Sequence, residues 1–217
     1  NNNNIYYTDY KLFNDYSLSS HPINNFGNIY HKFKQNVISP SEDTVKFGIT
    51  SIYFNGISDY LEISHNNDFN LSQNNFTIEF WIYLTEINGL QTFITKSIGV
   101  GSTSSFDIGI NASSKIYINL AKDDINWDIQ YISNTTIDIN KWYHYAINRE
   151  NDIIKLYING TEDTNSITLT SNYDINNTSN NIYIGVQKDG AGNLTNILKG
   201  YLEELRFTNN LSRYSNN

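Results

Sequence analysis

The stretch 76–84, FTIEFWIYL, decides the fold class of this chain. Apolar residues occupy every second position in it, and residues that carry polar atoms occupy the positions between them. Successive side chains of a β-strand point to opposite faces, so this two-residue period predicts a strand with one face in a core. The core-facing set is Phe76, Ile78, Phe80, Ile82 and Leu84, and the opposite set is Thr77, Glu79, Trp81 and Tyr83.

Similar runs recur along the rest of the chain, and they are rich in the β-branched and aromatic residues that suit a pleated surface. They cover 51–55, 60–64, 92–96, 105–111, 115–121, 142–150, 153–160, 181–186 and 200–208. The dipeptide Asn159-Gly160, at the end of the run 153–160, is a two-residue hairpin signal. No long stretch has helical spacing of its apolar residues, and parallel sheets need crossover helices. The pattern therefore predicts an all-β, antiparallel sandwich or barrel.

A length of 217 residues suits one domain, and no shift of composition marks a boundary. We therefore expect a single domain over residues 1–217. Residues 14–46 show little alternation and contain both prolines, Pro22 and Pro40. This segment is predicted to be an irregular N-terminal loop region that follows a first strand near 10–13.

Charge and composition argue against several classes of partner. The formal net charge is −8, and the 14 lysines and arginines are spread thinly, which disfavours nucleic acid and anionic membranes as partners. Without cysteine the chain has no disulfides, thiolate metal sites or thiol catalysis. No window approaches the roughly 18 apolar residues of a membrane helix, so membrane insertion is not expected.

Five segments occur in an order that is typical of one known family: 46–63 (KFGITSIYFNGISDYLEI), 75–84 (NFTIEFWIYL), 141–160 (KWYHYAINRENDIIKLYING), 181–186 (NIYIGV) and 200–214 (GYLEELRFTNNLSRY). Together they resemble the LamG-like, concanavalin A-like lectin/glucanase jelly rolls. The subset that they resemble is common in tail and fibre proteins of phages and other large DNA viruses. The resemblance implies an antiparallel β-sandwich jelly roll with a lectin-like function.

Catalysis is not predicted. Glucanases that share this fold use paired carboxylates on one face of a strand, and no E-x-D-x-E pattern occurs here. Glu203 and Glu204 are adjacent, so strand alternation predicts that they point to opposite faces. A G-x-S-x-G motif is also missing. We therefore expect a protein without enzymatic activity.

Saccharide binding needs an aromatic ring face together with planar polar groups. The segment 123–131, DDINWDIQY, has both and is predicted to be largely loop. It contributes the predicted carbohydrate site: Trp127, Tyr131, Asp123, Asp124 and Asn126. Tyr173 and the loop 187–193 are the second choice. The alternative, that the Trp127 ring covers an edge of the sandwich, is equally compatible with the sequence.

A calcium site is implied by the resemblance, because family members hold metal where the early F-x-G turn meets late loops or the last strand. The corresponding ligands here are Asp59, Asn55 and Glu203. The family usually has aspartate at positions 55 and 203, so both substitutions weaken this expectation. The alternative is that Asp59 caps the turn through its own backbone.

Histidine offers no zinc motif, because H-x-H and H-E-x-x-H are both missing. His144 is expected to be a core or half-buried residue whose ring nitrogen bonds to backbone.

The resemblance implies a non-enzymatic carbohydrate-recognition module of an extracellular or virion-surface adhesion protein, with a cell-surface glycan as its partner. The alternative is a structural decoration or self-assembly module that binds protein neighbours in a homo-oligomeric or virion assembly. Abundant tyrosine favours the alternative, since tyrosine is enriched at interfaces.

Overall fold

The computed structural model describes residues 8–11, 33–36, 40–48, 51–99, 104–123, 125–164 and 166–214. In this part of the chain the elements are strands, except for one 3₁₀ turn at Asn67–Phe69. The strands are β1 Thr8–Lys11, β2 Phe33–Asn36, β3 Pro40–Ser41, β4 Ser51–Asn55, β5 Tyr60–Ile63, β6 Phe76–Leu84, β7 Gln91–Ser97, β8 Ser104–Ile110, β9 Lys115–Leu120, β10 Ile129–Thr136, β11 Trp142–Glu150, β12 Ile153–Ile158, β13 Thr161–Glu162, β14 Ile167–Thr168, β15 Ile182–Ile184, β16 Gln187–Lys188, β17 Leu194–Thr195 and β18 Lys199–Asn209. The described residues include no helix with the length and apolar character to cross a membrane.

Two antiparallel sheets contain most of these strands. Sheet A has the order β13-β12-β11-β6-β18-β4-β3, with β1 added beside β18 and β14 beside β12. Sheet B has the order β10-β9-β8-β7-β15-β5-β2, and β16 and β17 form a separate hairpin. The predicted all-β, antiparallel β-sandwich is thereby confirmed.

The core lies between the two sheets and begins with β6. All five residues predicted to face inward from this strand are buried in it. The Phe80 ring lies edge-on to Phe93 of sheet B, with 5.6 Å between centroids, and 5.7 Å from Tyr145 on the neighbouring strand. Burial of each such ring contributes roughly 1.5–3 kcal/mol. The alternation of apolar and polar residues in 76–84 therefore predicts correctly which face of sheet A is internal.

Two predictions of local structure were wrong. Strand β10 was not among the predicted strands, and its first three residues belong to the segment 123–131 that was predicted to be largely loop. Its inward positions are nevertheless filled by Tyr131 and Ser133, which are buried. The expected irregular segment 14–46 contains β2 and β3, which extend sheets B and A at their edges. Residues 14–32 and 37–39 lie outside the described residues, and the single-domain boundaries stay a prediction.

The hairpin predicted at Asn159-Gly160 is confirmed. Both residues have positive φ angles, +51° and +79°, in the turn between β12 and β13. Asparagine and glycine tolerate this left-handed conformation best, which is why the pair predicts such turns. The Asn159 side chain also accepts a hydrogen bond from the backbone N–H of His144 at 2.9 Å. This contact ties the turn to strand β11.

Candidate functional site

A row of four aromatic side chains crosses the outer face of sheet A. Tyr53 on β4, Tyr201 on β18, Tyr83 on β6 and Trp142 on β11 are direct cross-strand partners. Their ring centroids follow one another at 4.9, 5.8 and 5.6 Å, and every ring is partly exposed. We call these four residues the aromatic row. It offers apolar surface to a ligand lying on the sheet.

A pocket of about 420 Å³ opens beside the aromatic row, one cross-strand row further along the same face. Trp81 lies two residues from Tyr83 on β6, and His144 lies two residues from Trp142 on β11, so alternation places them on this face. Six residues from four segments line the pocket: Phe47, Glu79, Trp81, His144, Glu204 and Arg206. We call it the sheet A pocket.

Glu79 forms the ionic floor of the sheet A pocket and is only 7% exposed. Arg206 Nη1 lies 3.3 Å and Arg213 Nε 3.9 Å from its Oε1. On the other oxygen, His144 Nε2 lies at 3.5 Å and the Tyr214 hydroxyl donates a hydrogen bond. This carboxylate is therefore surrounded by donors and positive charge.

The protonation of Glu79 follows from these contacts. Burial acts to raise its pKa, but the hydrogen bonds from His144 and Tyr214 and the charge of Arg206 outweigh burial and hold the pKa below its ordinary value. A carboxyl group with a lowered pKa is ionised at neutral pH and is a poor proton donor. Glu79 is thus suited to accepting hydrogen bonds and not to acid catalysis.

An apolar wall stands over this floor. The Phe47 side chain is 45% exposed and meets the Trp81 ring edge-on at 5.2 Å. Lys46 Nζ lies 4.6 Å from the Trp81 ring centroid, in a cation–π contact. Aromatic faces together with carboxylate and guanidinium groups are the chemistry that saccharides require, because one side of a sugar ring is C–H-rich and its rim carries hydroxyls.

Strand β18 carries a bulge that brings Glu204 into the pocket. Glu203 pairs with Trp81, whereas Arg206 pairs with Glu79, so β18 has one residue more than β6 in this interval. Glu204 adopts a left-handed backbone conformation with φ +51° and lines the pocket. The prediction that adjacent Glu203 and Glu204 face opposite sides was wrong, because the bulge interrupts the alternation.

Four of the predicted carbohydrate-binding residues lie in the loop between β9 and β10. Asn126 is exposed and Trp127 is half-buried, whereas Asp124 lies outside the described residues. The Asp123 carboxylate accepts a hydrogen bond from Ile125 N at 2.9 Å, within its own loop. For Trp127, Asp123, Asp124 and Asn126, a role in saccharide binding stays a prediction.

The two predicted tyrosines are placed differently from what was expected. Tyr131 belongs to β10, is 8% exposed and donates its hydroxyl hydrogen bond to Asp163. Tyr173 is 7% exposed, and burial followed by the charges of Asp128 and Asp123 raises its pKa. The structure therefore brings Tyr173 close to Asp123 but buries both tyrosine rings. Neither offers the open ring face on which their prediction as ligand contacts depended.

The residues proposed for calcium do not fit a common ion. Asp59 accepts hydrogen bonds from the backbone N–H of Asn55 at 3.1 Å and from its amide at 2.9 Å. The Asn55 side-chain oxygen Oδ1 accepts hydrogen bonds from backbone N–H groups of the same turn, from Ile57 at 2.7 Å and Ser58 at 2.9 Å. Asp59 is thus the turn cap that the sequence left as the alternative.

Glu203 lies on β18 four positions from the partner of Asn55, which is roughly 13 Å along a strand. No group of three or more His, Cys, Asp or Glu side chains among the described residues is arranged to hold a metal ion. Asp59, Asn55 and Glu203 therefore do not converge on one oxygen cage of the kind that calcium requires.

None of the six residues that line the sheet A pocket was among the predicted site residues. His144 was expected to bond backbone in a half-buried position, and it is half-buried, but its Nε2 faces the Glu79 carboxylate. A signal was present in the sequence. Glu79, Trp81 and Tyr83 share the polar half of one strand, and Trp142 and His144 share one half of another.

Comparison with known proteins agrees with this architecture. A family model described as the concanavalin A-like lectin/glucanases superfamily matches residues 54–212. The chain belongs to this superfamily. A search of curated protein sequences found no significant match.

Solved structures with the same fold include the binding domain of Paraclostridial Mosquitocidal Protein 1, with a TM-score of 0.65 and 15% identity over 85% of this chain. This chain spans 45% of that one. Domain 4 of AbnA, a GH43 extracellular arabinanase from Geobacillus stearothermophilus solved with arabinotriose, has a TM-score of 0.60 and 16% identity over 84% of this chain and 83% of its own. A botulinum neurotoxin type C structure, whose description states that cell entry depends on two ganglioside molecules, has a TM-score of 0.60 and 15% identity, over 85% of this chain and 44% of its own.

Proposed function

We propose that this chain is a non-enzymatic carbohydrate-recognition module of an extracellular or virion-surface adhesion protein. The observation that carries the proposal is the sheet A pocket, where the Phe47 and Trp81 rings stand over the carboxylate and guanidinium groups of Glu79, Glu204 and Arg206. The aromatic row continues the pocket along the same face. When one sugar ring of an oligosaccharide occupies the pocket, the adjacent sugar rings lie on the aromatic row.

The chemistry favours a neutral saccharide. Two carboxylates and one guanidinium line the pocket, and Arg206 is already paired with Glu79. The whole chain carries a net charge of −8, which disfavours anionic sugars over long range. The similarity to an arabinanase domain solved with arabinotriose supports this class of ligand, since that domain has nearly the same extent as this chain.

We expect weak affinity at each site. An open pocket on a sheet face covers one side of a sugar and leaves the other to solvent, so little area is buried. Display of several copies on a larger assembly raises the apparent affinity without any new contact. A surface adhesion protein provides such display.

The three tryptophans allow a direct test. We expect a panel of neutral oligosaccharides that includes arabinotriose, screened on an array and measured by calorimetry, to contain a ligand. Trp81→Ala in the pocket and Trp142→Ala in the aromatic row should each weaken binding at least tenfold. Trp127→Ala is the matched control in the β9–β10 loop and should bind like the parent.

Two results would contradict the proposal. Loss of binding on Trp127→Ala with binding kept by Trp81→Ala would move the site to the originally predicted loop. No binding of any saccharide in the panel would remove the carbohydrate function itself.

An assembly module is the second candidate, and edge strand β10 favours it. Ile132 on this strand is 45% exposed at the border of sheet B. Exposed apolar edge strands are templates for pairing with another chain. Under this function, sedimentation velocity would show concentration-dependent oligomers that Ile132→Lys abolishes. Monomers at all concentrations would contradict it.

A further inference from the structure

We infer that Glu203 is a positioning residue for the sheet A pocket, acting through the backbone of Lys46 and Phe47 on the wall that contacts the saccharide. The inference rests on the proposed function and deepens it. It gives Glu203 a role different from the calcium ligation that the family resemblance implies.

The geometry places Glu203 beneath the wall. Its side chain faces outward at the start of the β18 bulge, on the face of Trp81, and the residue is only 1% exposed. One carboxylate oxygen accepts a hydrogen bond from Lys46 N at 2.6 Å, and the other accepts one from Phe47 N at 2.9 Å. Two consecutive backbone N–H groups are thus held by one carboxylate. Hydrogen bonds to an ionised acceptor are stronger than those between neutral groups.

The segment held in this way makes the apolar wall. After β3, residues 42–48 follow bends and not a strand. Thr44 is fixed to the sheet through its carbonyl, which accepts a hydrogen bond from Ser51 Oγ at 2.7 Å. Lys46 and Phe47, two and three residues further on, carry the side chains that contact the Trp81 ring.

The functional consequence is preorganisation. An exposed aromatic side chain on an irregular segment loses conformational freedom when a ligand packs against it, and this loss weakens binding. The Glu203 carboxylate fixes the backbone from which Phe47 projects before any ligand arrives. Phe47 and Trp81 then form one rigid corner for the C–H face of a sugar ring.

The test uses Glu203→Gln, which keeps the size and shape of the side chain. One of its two oxygens becomes an NH₂ group that meets a backbone N–H, so one of the two hydrogen bonds is lost. We expect amide hydrogen exchange at residues 46 and 47 to rise at least tenfold, and affinity for the oligosaccharide found in the array to fall about tenfold. Phe47→Ala should lower the affinity to a similar degree.

A double-mutant cycle separates positioning from general stability. If Glu203 acts through Phe47, the double variant Glu203→Gln/Phe47→Ala binds no more weakly than Phe47→Ala alone. Asp59→Asn is the matched control, because Asp59 is another buried carboxylate that accepts a backbone N–H, and it does not line the pocket. It should lower the melting temperature without weakening binding.

Unchanged affinity in Glu203→Gln, or losses that simply add in the double variant, would overturn the inference while the carbohydrate function stands. A parent protein that binds no oligosaccharide would instead overturn the proposed function. In that case the exchange rates at residues 46 and 47 still decide whether Glu203 holds the segment.

Discussion

At the scale of single residues, Asp107 is a buried carboxyl group whose surroundings raise its pKa strongly. It lies on the outer face of sheet B, where Thr92 Oγ1 and Gln187 Nε2 each lie 3.4 Å from its carboxylate oxygens. Gln187 belongs to the hairpin β16–β17, so this hairpin contributes to its enclosure. Burial raises the pKa of Asp107 to about 7, although hydrogen bonds from Tyr117, Thr92 and Thr95 oppose the rise.

This shift predicts a pH dependence of stability. Because the folded-state pKa lies above the ordinary value of 3.8, the folded protein binds this proton more tightly than the unfolded chain. The contribution of Asp107 to the free energy of unfolding is therefore fully present below pH 4 and is lost as the pH rises to about 7, by up to about 4 kcal/mol.

The measurement is urea denaturation of the parent and of Asp107→Asn at pH 5 and pH 8. The variant should be more stable than the parent at pH 8, and the difference should shrink at pH 5. Glu79 and Asp163 have lowered pKa values and act in the opposite direction, so the comparison between variants is the decisive one. Parallel pH profiles for the two proteins would refute the role of Asp107.

At the scale of elements, Asp163 joins the edges of the two sheets. It follows β13 at one edge of sheet A and accepts hydrogen bonds from three residues on β10 at an edge of sheet B. The donors are Asn134 N at 2.9 Å, Thr135 N at 3.0 Å, Thr135 Oγ1 at 2.7 Å and the Tyr131 hydroxyl.

Asp163→Ala should therefore lower the free energy of unfolding by about 3 kcal/mol, because the buried Tyr131 hydroxyl and two backbone N–H groups of β10 lose their acceptor. Its neighbour Glu162 is the matched control. Glu162 pairs with Lys155 at the surface, and exposed ion pairs contribute little, so Glu162→Ala should leave stability almost unchanged. Equal effects of the two substitutions in thermal melts would show that Asp163 does not link the sheets.

The β18 bulge is the other decisive feature at this scale. Leu202 and Leu205 are both buried although they are three residues apart, and an uninterrupted strand would place them on opposite faces. This odd spacing of core residues was visible in GYLEELRF and could have predicted an inserted residue. The bulge is what places Glu204 and Arg206 on the same outer face as Tyr201 and Glu203.

At the scale of the whole molecule, the two sheets enclose a core with side chains from every long strand, and the Asp59 and Glu203 carboxylates each accept backbone N–H groups in separate places. We therefore expect the melting midpoint to be the same in excess calcium and in excess chelator. A ligand that binds only the folded state raises the midpoint. A clear rise with calcium would restore the metal hypothesis for Asp59, Asn55 and Glu203.

The internal faces of the regular strands could be predicted from the sequence, whereas the residues of the candidate site could not. The faces of β6, β11 and β12 follow from local alternation, so their inward residues were identifiable. Strand β10 was missed because its inward Ser133 resembles a loop residue. His144 was recognised as half-buried, but its partner Glu79 lies 65 positions earlier in the chain, and only the pairing of β11 with β6 makes them neighbours.

The sequence by itself determined the class of fold and the internal face of each regular strand, because on a strand the side to which a residue points depends only on its parity. Tertiary structure decided the candidate site. Phe47, Glu79, His144 and Arg206 come from four distant segments, and long-range strand order together with one bulge places them around a single pocket. Such order is set by the packing of the whole core and not by any local stretch of residues.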